Sequence, residues 1–282
     1  VDLNGYKKAG LSECYIHDNE HLYMHYNGYG SNTFTYLKEN TIANNINVGS
    51  GLGYLLDFTS NADSVVFTNN TFVSNNDGNL INFTGCRPYM YNNTIVGNVN
   101  ESYLISSHPG NLVLKGNIIL GNNSEIVGTR WSNIDYKNNI LPRIVYSGDA
   151  SLSTIDQEIL DNNIFSIFDN TGKIHEELKD IPNRNEEILT YLFEGKYNSE
   201  TGLFTPVLAY NGGFTPTVAL KSDKLSDGTS IRFPRLENVL TDQRGVERFD
   251  STCMGAYEMR CNAVDTVLKD TVMVGDSYTF ID

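Results

Sequence analysis

Six times between Asn40 and Asn163 the chain repeats one short phrase: an apolar or aromatic residue, two residues, an asparagine, one residue, another apolar or aromatic residue. The asparagines are Asn40, Asn70, Asn93, Asn117, Asn139 and Asn163, spaced by 30, 23, 24, 22 and 24 residues. An earlier copy puts Cys14 in the asparagine slot, between Leu11 and Ile16. Self-similarity at this period marks a solenoid, in which each coil needs a neighbour to bury its apolar face.

The residues between the asparagines select the kind of solenoid. No window from Leu11 to Phe165 sustains the 3.6-residue spacing of an amphipathic helix, and apolar residues alternate over short β-branched runs. Five positions after the reference residue stand Asn19, Asn45, Asn75, Asn98 and Asn122, which suit sharp corners because asparagine tolerates left-handed backbone angles. Second strands follow at Tyr23 to Tyr26, Tyr54 to Phe58, Leu80 to Phe83 and Tyr103 to Ser106, and third strands lead back to the next asparagine. The expected fold is therefore all-β: a right-handed, single-stranded parallel β-helix with a short helical insertion. Stacked coils bring like residues about 4.8 Å apart, so the six asparagines are expected to form a structural carboxamide ladder, costly to interrupt if buried.

Beyond Phe165 the pattern changes. Ile174 to Phe193, broken by Pro182, reads as two short amphipathic helices, an insertion near 174–196. Three motifs then follow: NGGFTPT (Asn211 to Thr217), TDQRG (Thr241 to Gly245) and CMGAYE (Cys253 to Glu258). Together with the asparagine-led rungs, they resemble the C-terminal half of bacterial choice-of-anchor Q domain proteins, β-helix surface proteins of the pectin-lyase type related in repeat style to polymorphic outer-membrane proteins. The resemblance covers about Leu11 to Glu258. It implies a parallel β-helix, export and attachment to the cell surface, and no known reaction. In its closing motifs Arg244 is placed to pair with Asp242 or Glu258 and lock the last coil. Residues 260–282 resemble the opening of a repeated immunoglobulin-like module of Bacteroidetes surface proteins. A β-helix over 1–259, a following β-rich piece and a monomeric module of a larger secreted or surface protein are the resulting expectations.

The composition narrows the partners. A net charge of −14 argues against nucleic acid or an anionic membrane surface. No apolar run is long enough for a membrane helix, and the start of the chain lacks the basic and apolar regions of a signal peptide. The four cysteines do not make a disulfide scaffold; Cys14 and Cys86 read as space-fillers, and a Cys253–Cys261 bridge stays open.

Two functional classes remain. A lyase would need carboxylates on successive rungs to hold calcium, but Asp57 aligns with Asn82 and Ser106. A hydrolase would need paired carboxyls, whereas Asp135, Asp149, Asp156 and Asp161 are scattered. His17, His21 and His25 recur every four residues but on strands and a corner, where that spacing does not converge on a metal. No cofactor or metal is expected. The N-terminal half is rich in tyrosine (Tyr23, Tyr26, Tyr29, Tyr36, Tyr54, Tyr89, Tyr91 and Tyr103), and outward rings in register suit sugar stacking or a protein partner. Tyr23, Tyr26, Tyr54 and Tyr103 are the candidate binding residues. The first reading is thus a non-catalytic adhesin, glycan-binding surface or spacer whose partner is a glycan or a host or cell-surface protein; the alternative is a lyase or hydrolase of acidic polysaccharide.

Overall fold

The structure, a computed structural model, describes residues 8–28, 34–47, 53–60, 64–108, 111–123, 125–128, 134–142, 144–146, 162–165 and 183–260. The first half of the expected insertion, Cys261 and the tail, and Asp149, Asp156 and Asp161 lie outside these residues.

Three parallel sheets stack coil upon coil into a β-helix. The first holds the strands that lead into each ladder position: Lys8–Ser12, Phe34–Lys38, Ser64–Thr68, Pro88–Tyr91, Leu112–Lys115 and Ile134–Lys137. The second holds the two- and three-residue strands that leave it, from Tyr15–His17 through Thr71–Val73 and Thr94–Val96 to Ile164–Phe165. The third runs from Met24–Gly28 through Leu56–Ser60, Asn76–Thr84, Val99–His108 and Glu125–Gly128 to Ile144–Tyr146. Strand parity sends Leu37, Phe67, Met90, Leu114 and Tyr136 inward in register from the first sheet. Ile42, Phe72, Ile95, Ile119 and Leu141 meet them from the second.

The six asparagines form a continuous buried ladder. From Asn40 to Asn139 each Nδ2 donates one hydrogen to the Oδ1 of the next rung, at 3.0 Å for Asn40 to Asn70, 2.9 Å for Asn70 to Asn93, 3.0 Å for Asn93 to Asn117, 2.9 Å for Asn117 to Asn139 and 3.0 Å for Asn139 to Asn163. The same Nδ2 donates its other hydrogen to a main-chain carbonyl one coil back, as Asn93 does to Phe67 at 3.1 Å. Each Oδ1 also accepts the backbone N–H of the preceding rung's ladder residue, as Asn117 does from Asn93 at 2.9 Å. The first such acceptance is from Cys14, whose N–H donates to Asn40 Oδ1 at 3.0 Å, so the cysteine ends the ladder.

The corner asparagines do more than turn the chain. Asn19, Asn45, Asn75, Asn98 and Asn122 form a second ladder, with Nδ2 to Oδ1 distances of 2.8, 2.9, 2.9 and 2.9 Å. The left-handed backbone expected of these residues belongs instead to the residue before each ladder position. Glu13, Glu39, Asn69, Asn92, Gly116 and Asn138 adopt it before the first ladder, and Asp18, Asn44, Ser74, Gly97 and Gly121 before the second. A left-handed residue reverses the direction of the chain, and the extended residue after it then points its carboxamide along the stack.

The closing motifs do not form a last coil. Helix α1 (Asn185–Leu192) buries Ile188, Leu189 and Leu192 with Val96, Ile118, Leu120 and Ile140 from the second sheet's outer face. Asn183 Oδ1 accepts the Asn185 N–H at 3.0 Å at its start, and Glu186 and Glu187 occupy its electropositive first turn. Three antiparallel hairpins then run back over the same face as a strap: Gly195–Tyr197 with Phe204–Pro206, Leu208–Ala209 with Thr217–Val218, and Arg232–Pro234 with Ser251–Cys253. The approach is so close at Gly97 that a Cβ would fall 2.3 Å from the Phe204 carbonyl oxygen. With a core on one side and the strap on the other, the middle of the second sheet is buried on both faces, as its unbroken buried triplets Thr-Phe-Val, Thr-Ile-Val and Ile-Ile-Leu show.

Buried charges and amides fasten the strap. Gln243 Nε2 donates to Thr41 Oγ1 at 2.7 Å and to Thr215 Oγ1 at 2.9 Å, while its Oε1 accepts from Thr71 Oγ1 at 2.6 Å, spanning two coils. Arg244 pairs with Asp242 at 2.6 Å, as the sequence suggests, but its bond to Glu258 is to the main-chain carbonyl, also at 2.6 Å. The Glu258 carboxylate belongs instead to Arg248 at 3.2 Å, to Arg232 at 3.1 Å, and to Thr252. Arg248 also donates to Asn69 Oδ1 at 2.9 Å, so strap and corner share one network. Burial pulls the Arg248 guanidinium below its ordinary pKa, and the Glu258 and Asp242 carboxylates pull it back. Cys253 lies in this region as a free thiol pushed up to about 11, first by burial and then by Glu258.

Two stability measurements follow from the ladder and the strap. Asn93→Ala strands the Asn70 N–H and one Asn70 amide hydrogen and removes a donor from the Phe67 carbonyl, and is expected to cost about 3 kcal/mol or more in urea unfolding, whereas Cys14→Ala at the ladder's end costs under about 1 kcal/mol. Equal shifts for the two variants would defeat the ladder account. Arg248→Met leaves Glu258 buried with one ionic partner fewer and is expected to cost roughly 3–5 kcal/mol. Arg244→Ala should cost less, because Asp242 keeps the N–H donors of Arg244, Val246 and Glu258 at 2.8, 3.0 and 2.9 Å. The reverse order in the unfolding midpoints would place the clamp elsewhere.

Candidate functional site

Among the described residues the strap covers the second sheet and leaves the outer faces of the third and first sheets to an extended ligand. On the third, the register aligns His25, Asp57, Asn82 and Ser106 in one outward column. Asp57 accepts from Tyr23 OH at 3.0 Å and from Asn82 Nδ2 at 2.7 Å, and Asn82 also donates to Thr84 Oγ1 at 3.1 Å. His25 Nε2 and Thr59 Oγ1 are hydrogen-bonded at 2.9 Å, with Asp57 Oδ2 3.9 Å from the same nitrogen. The column is well covered, with Asp57 only 8% and Asn82 only 6% exposed. Asp57 is the one carboxylate of this column, beside Asn82 and Ser106 as expected from the sequence.

The four candidate tyrosines do not form an exposed row. Tyr26 is 2% exposed and sits inside the helix, heading an aromatic column with Phe58 and Phe83; ring centroids are 6.4 Å apart for Tyr26 and Phe58, and 5.7 Å for Phe58 and Phe83. This corrects its assignment to a binding surface, and the reason is parity. Tyr26 pairs with Phe58, one residue past Asp57, so it faces opposite to the outward His25. Tyr23 is half-buried and held by Asp57, and Tyr54 is half-buried ahead of its strand. The side chain of Tyr103 lies outside the described residues.

The histidines also stay apart. His17 Nδ1 and Asp18 Oδ2 are 2.6 Å apart, His17 stacks on Tyr15 with centroids 3.9 Å apart, His21 occupies a left-handed position, and His25 is on the third sheet. Among the described residues no three His, Cys, Asp or Glu side chains converge as metal ligands.

Outward rings in register occur on the first sheet. One column runs Gly10, Tyr36, Val66, Tyr89, Val113 and Asp135; the next runs Ser12, Lys38, Thr68, Tyr91, Lys115 and Lys137. Lys8, Phe34 and Ser64 begin a third, with Arg87 exposed at the entry of the following strand. Every one of these side chains is exposed or half-buried, and Phe34 reaches 38% exposure. The Tyr36 ring lies across Gly10, where a Cβ would fall 2.3 Å from its Cε1, and Lys8 Nζ stands 5.8 Å from the ring centre. Farther up, Tyr89 and Tyr91 sit with centroids 6.1 Å apart and planes tilted by 44°. Burial, then Tyr89 and Asp135, raise the pKa of the Tyr91 phenol and keep its hydroxyl available as a donor. Lys38 pairs with the buried Glu39 at 3.1 Å, and Lys115 with the exposed Asp135 at 3.0 Å.

This face was legible in part: Tyr36, Tyr89 and Tyr91 belong to the tyrosine-rich half, but the lysines beside them become a column only once the register is known. Compared with family models, curated proteins and solved structures, the chain finds no match in any of the three.

The parity argument has a direct check. Tyr26→Ala is expected to cost about 3–5 kcal/mol of stability as a large core truncation, whereas Tyr36→Ala on the open face should stay within about 1 kcal/mol of the parent. A Tyr26 variant with an unmoved melting midpoint would return that ring to the surface.

Proposed function

We propose that this chain is a non-catalytic, exported β-helix module that binds extended carbohydrate along the outer face of its first sheet. The observation that carries the reading is the aromatic column, in which the Tyr36 ring lies against the sheet over Gly10 and Tyr89 stands two rungs farther on in the same register. Flat, half-exposed rings match the apolar faces of pyranose rings, and the neighbouring Ser12, Ser64 and Thr68 hydroxyls offer hydrogen bonds to sugar hydroxyls. Repetition at the strand spacing of about 4.8 Å favours a polymer over a single small molecule.

Export and surface attachment rest on the motif resemblance of the closing segments. No helix among the described residues is long and apolar enough to cross a membrane. The lone carboxylate of the third-sheet column favours binding over polysaccharide cleavage, which needs clustered or paired carboxyls.

Binding of the chain to a panel of linear glycans tests the reading. Tyr36→Ala and Tyr89→Ala are each expected to weaken the best ligand about tenfold, the loss of roughly one aromatic contact, with unchanged melting curves. Reducing ends or unsaturated products accumulating with time would replace the binding module by an enzyme. Undiminished affinity in both variants would move the site off this face.

A further inference from the structure

We infer that the polymer this face takes is an acidic polysaccharide, bearing a carboxylate or sulfate on its repeating sugars; the inference rests on the carbohydrate-binding reading and adds the ligand's charge. The chain carries 34 acidic against 20 basic residues, yet the described strands of the first sheet turn Lys8, Lys38, Lys115 and Lys137 outward, with Arg87 at the margin and Asp135 as the one carboxylate in the strand columns. A random draw from this composition would give a face with more acids than bases. The opposite sign is a local property of the sheet.

The cations are ordered as well as numerous. Lys115 and Lys137 occupy adjacent rungs of one column, and Lys38 lies three rungs below Lys115 in the same column, so positive charge recurs parallel to the row of rings. From the strand of Lys8 to that of Lys137 six strands span about 24 Å at 4.8 Å each, several sugar units of an extended chain. A polymer lying across the strands would set its sugar faces on Tyr36 and Tyr89 and its anionic groups against the lysine column.

Two ion pairs among the described residues leave room for this. Lys115 and Asp135 are a solvent-exposed pair, and Lys38 is itself half-exposed beside Glu39 and keeps donors to spare. The negative remainder of the molecule repels polyanions elsewhere and confines them to this strip. Duplex nucleic acid and anionic membranes present dense charge over wider areas, where that repulsion acts on more of the ligand. Neither of them uses the flat ring on Gly10.

The test uses the full chain with polygalacturonate and with heparin, set against uncharged dextran and cellulose oligomers, single-stranded DNA and phosphatidylserine vesicles. Affinity is measured at about 50 and 200 mM salt, because ionic contacts weaken steeply over that range. The expected result is polyuronate or heparin binding that falls with salt, and a loss of about tenfold or more in the triple variant Lys38→Gln, Lys115→Gln, Lys137→Gln with an unchanged melting curve. If uncharged glycans bind as tightly as acidic ones and the triple variant matches the parent, the charge inference fails while carbohydrate binding stands. If no glycan binds, both fall. Equal or tighter lysine-dependent binding of DNA or vesicles would overturn the polysaccharide assignment.

Discussion

Every coil of this protein depends on turning a strand within two residues without leaving a polar group stranded in the core. A buried asparagine solves the problem because its amide has two hydrogens and its oxygen accepts two. At Asn93 one hydrogen goes up the stack to Asn117 and the other to the Phe67 carbonyl, while the oxygen accepts the N–H and Nδ2 of Asn70. Aspartate could not donate and serine could not reach both neighbours, so the position tolerates little else. Running this arrangement twice per coil, on either side of the second sheet, holds the three-residue strands at fixed ends and makes their register nearly independent of their own side chains.

Those short strands set up the strap. With both ends pinned, Thr41, Thr71 and Thr94 present hydroxyls outward at regular intervals, and strap residues meet them in order: Pro216 accepts from Thr41, Gln243 from Thr71, and Ala256 donates its N–H to Thr94 at 2.9 Å. The contacts link residues more than 160 positions apart in sequence, as in the 162-residue separation of Thr94 and Ala256. Burying Arg248, Asp242 and Glu258 along this seam is expensive unless every donor and acceptor is met, which ties the clamp's geometry to the register that the ladders impose.

The sequence makes the repeated parts legible and the returning part obscure, for a physical reason. A ladder residue faces the same requirement in each coil, so the pattern shows six times over; the flanking apolar positions follow by parity. The second ladder was visible only as corners, because Asn is common at turns, and the left-handed burden on Glu39, Asn69 or Ser74 leaves no common residue type to read. Tyr26 was misplaced by one step of parity, although His25 aligns with Asp57 and therefore forces Tyr26 inward with Phe58. The strap motifs read as a final coil since Gly and Arg near Asp suit any tight turn. Their true partners, Asn69 and Thr71, carry no local sign of the contact.

The two pinned corners also determine which face is free to evolve a ligand. A substitution on the second sheet disturbs either the core or the strap, and the third sheet's column is already committed to bonds among Tyr23, Asp57 and Asn82. Outward positions of the first sheet carry lighter obligations: Tyr36 meets Gly10, Val66 meets Tyr89, Lys38 pairs with Glu39, and Lys115 pairs with the exposed Asp135. Charge placed there costs little in folding, and only part of it is met by the Lys38–Glu39 and Lys115–Asp135 pairs. Its arrangement in a column beside the rings is what the proposed ligand would use, and a parallel stack with one repeat per coil is suited to a ligand that repeats as well.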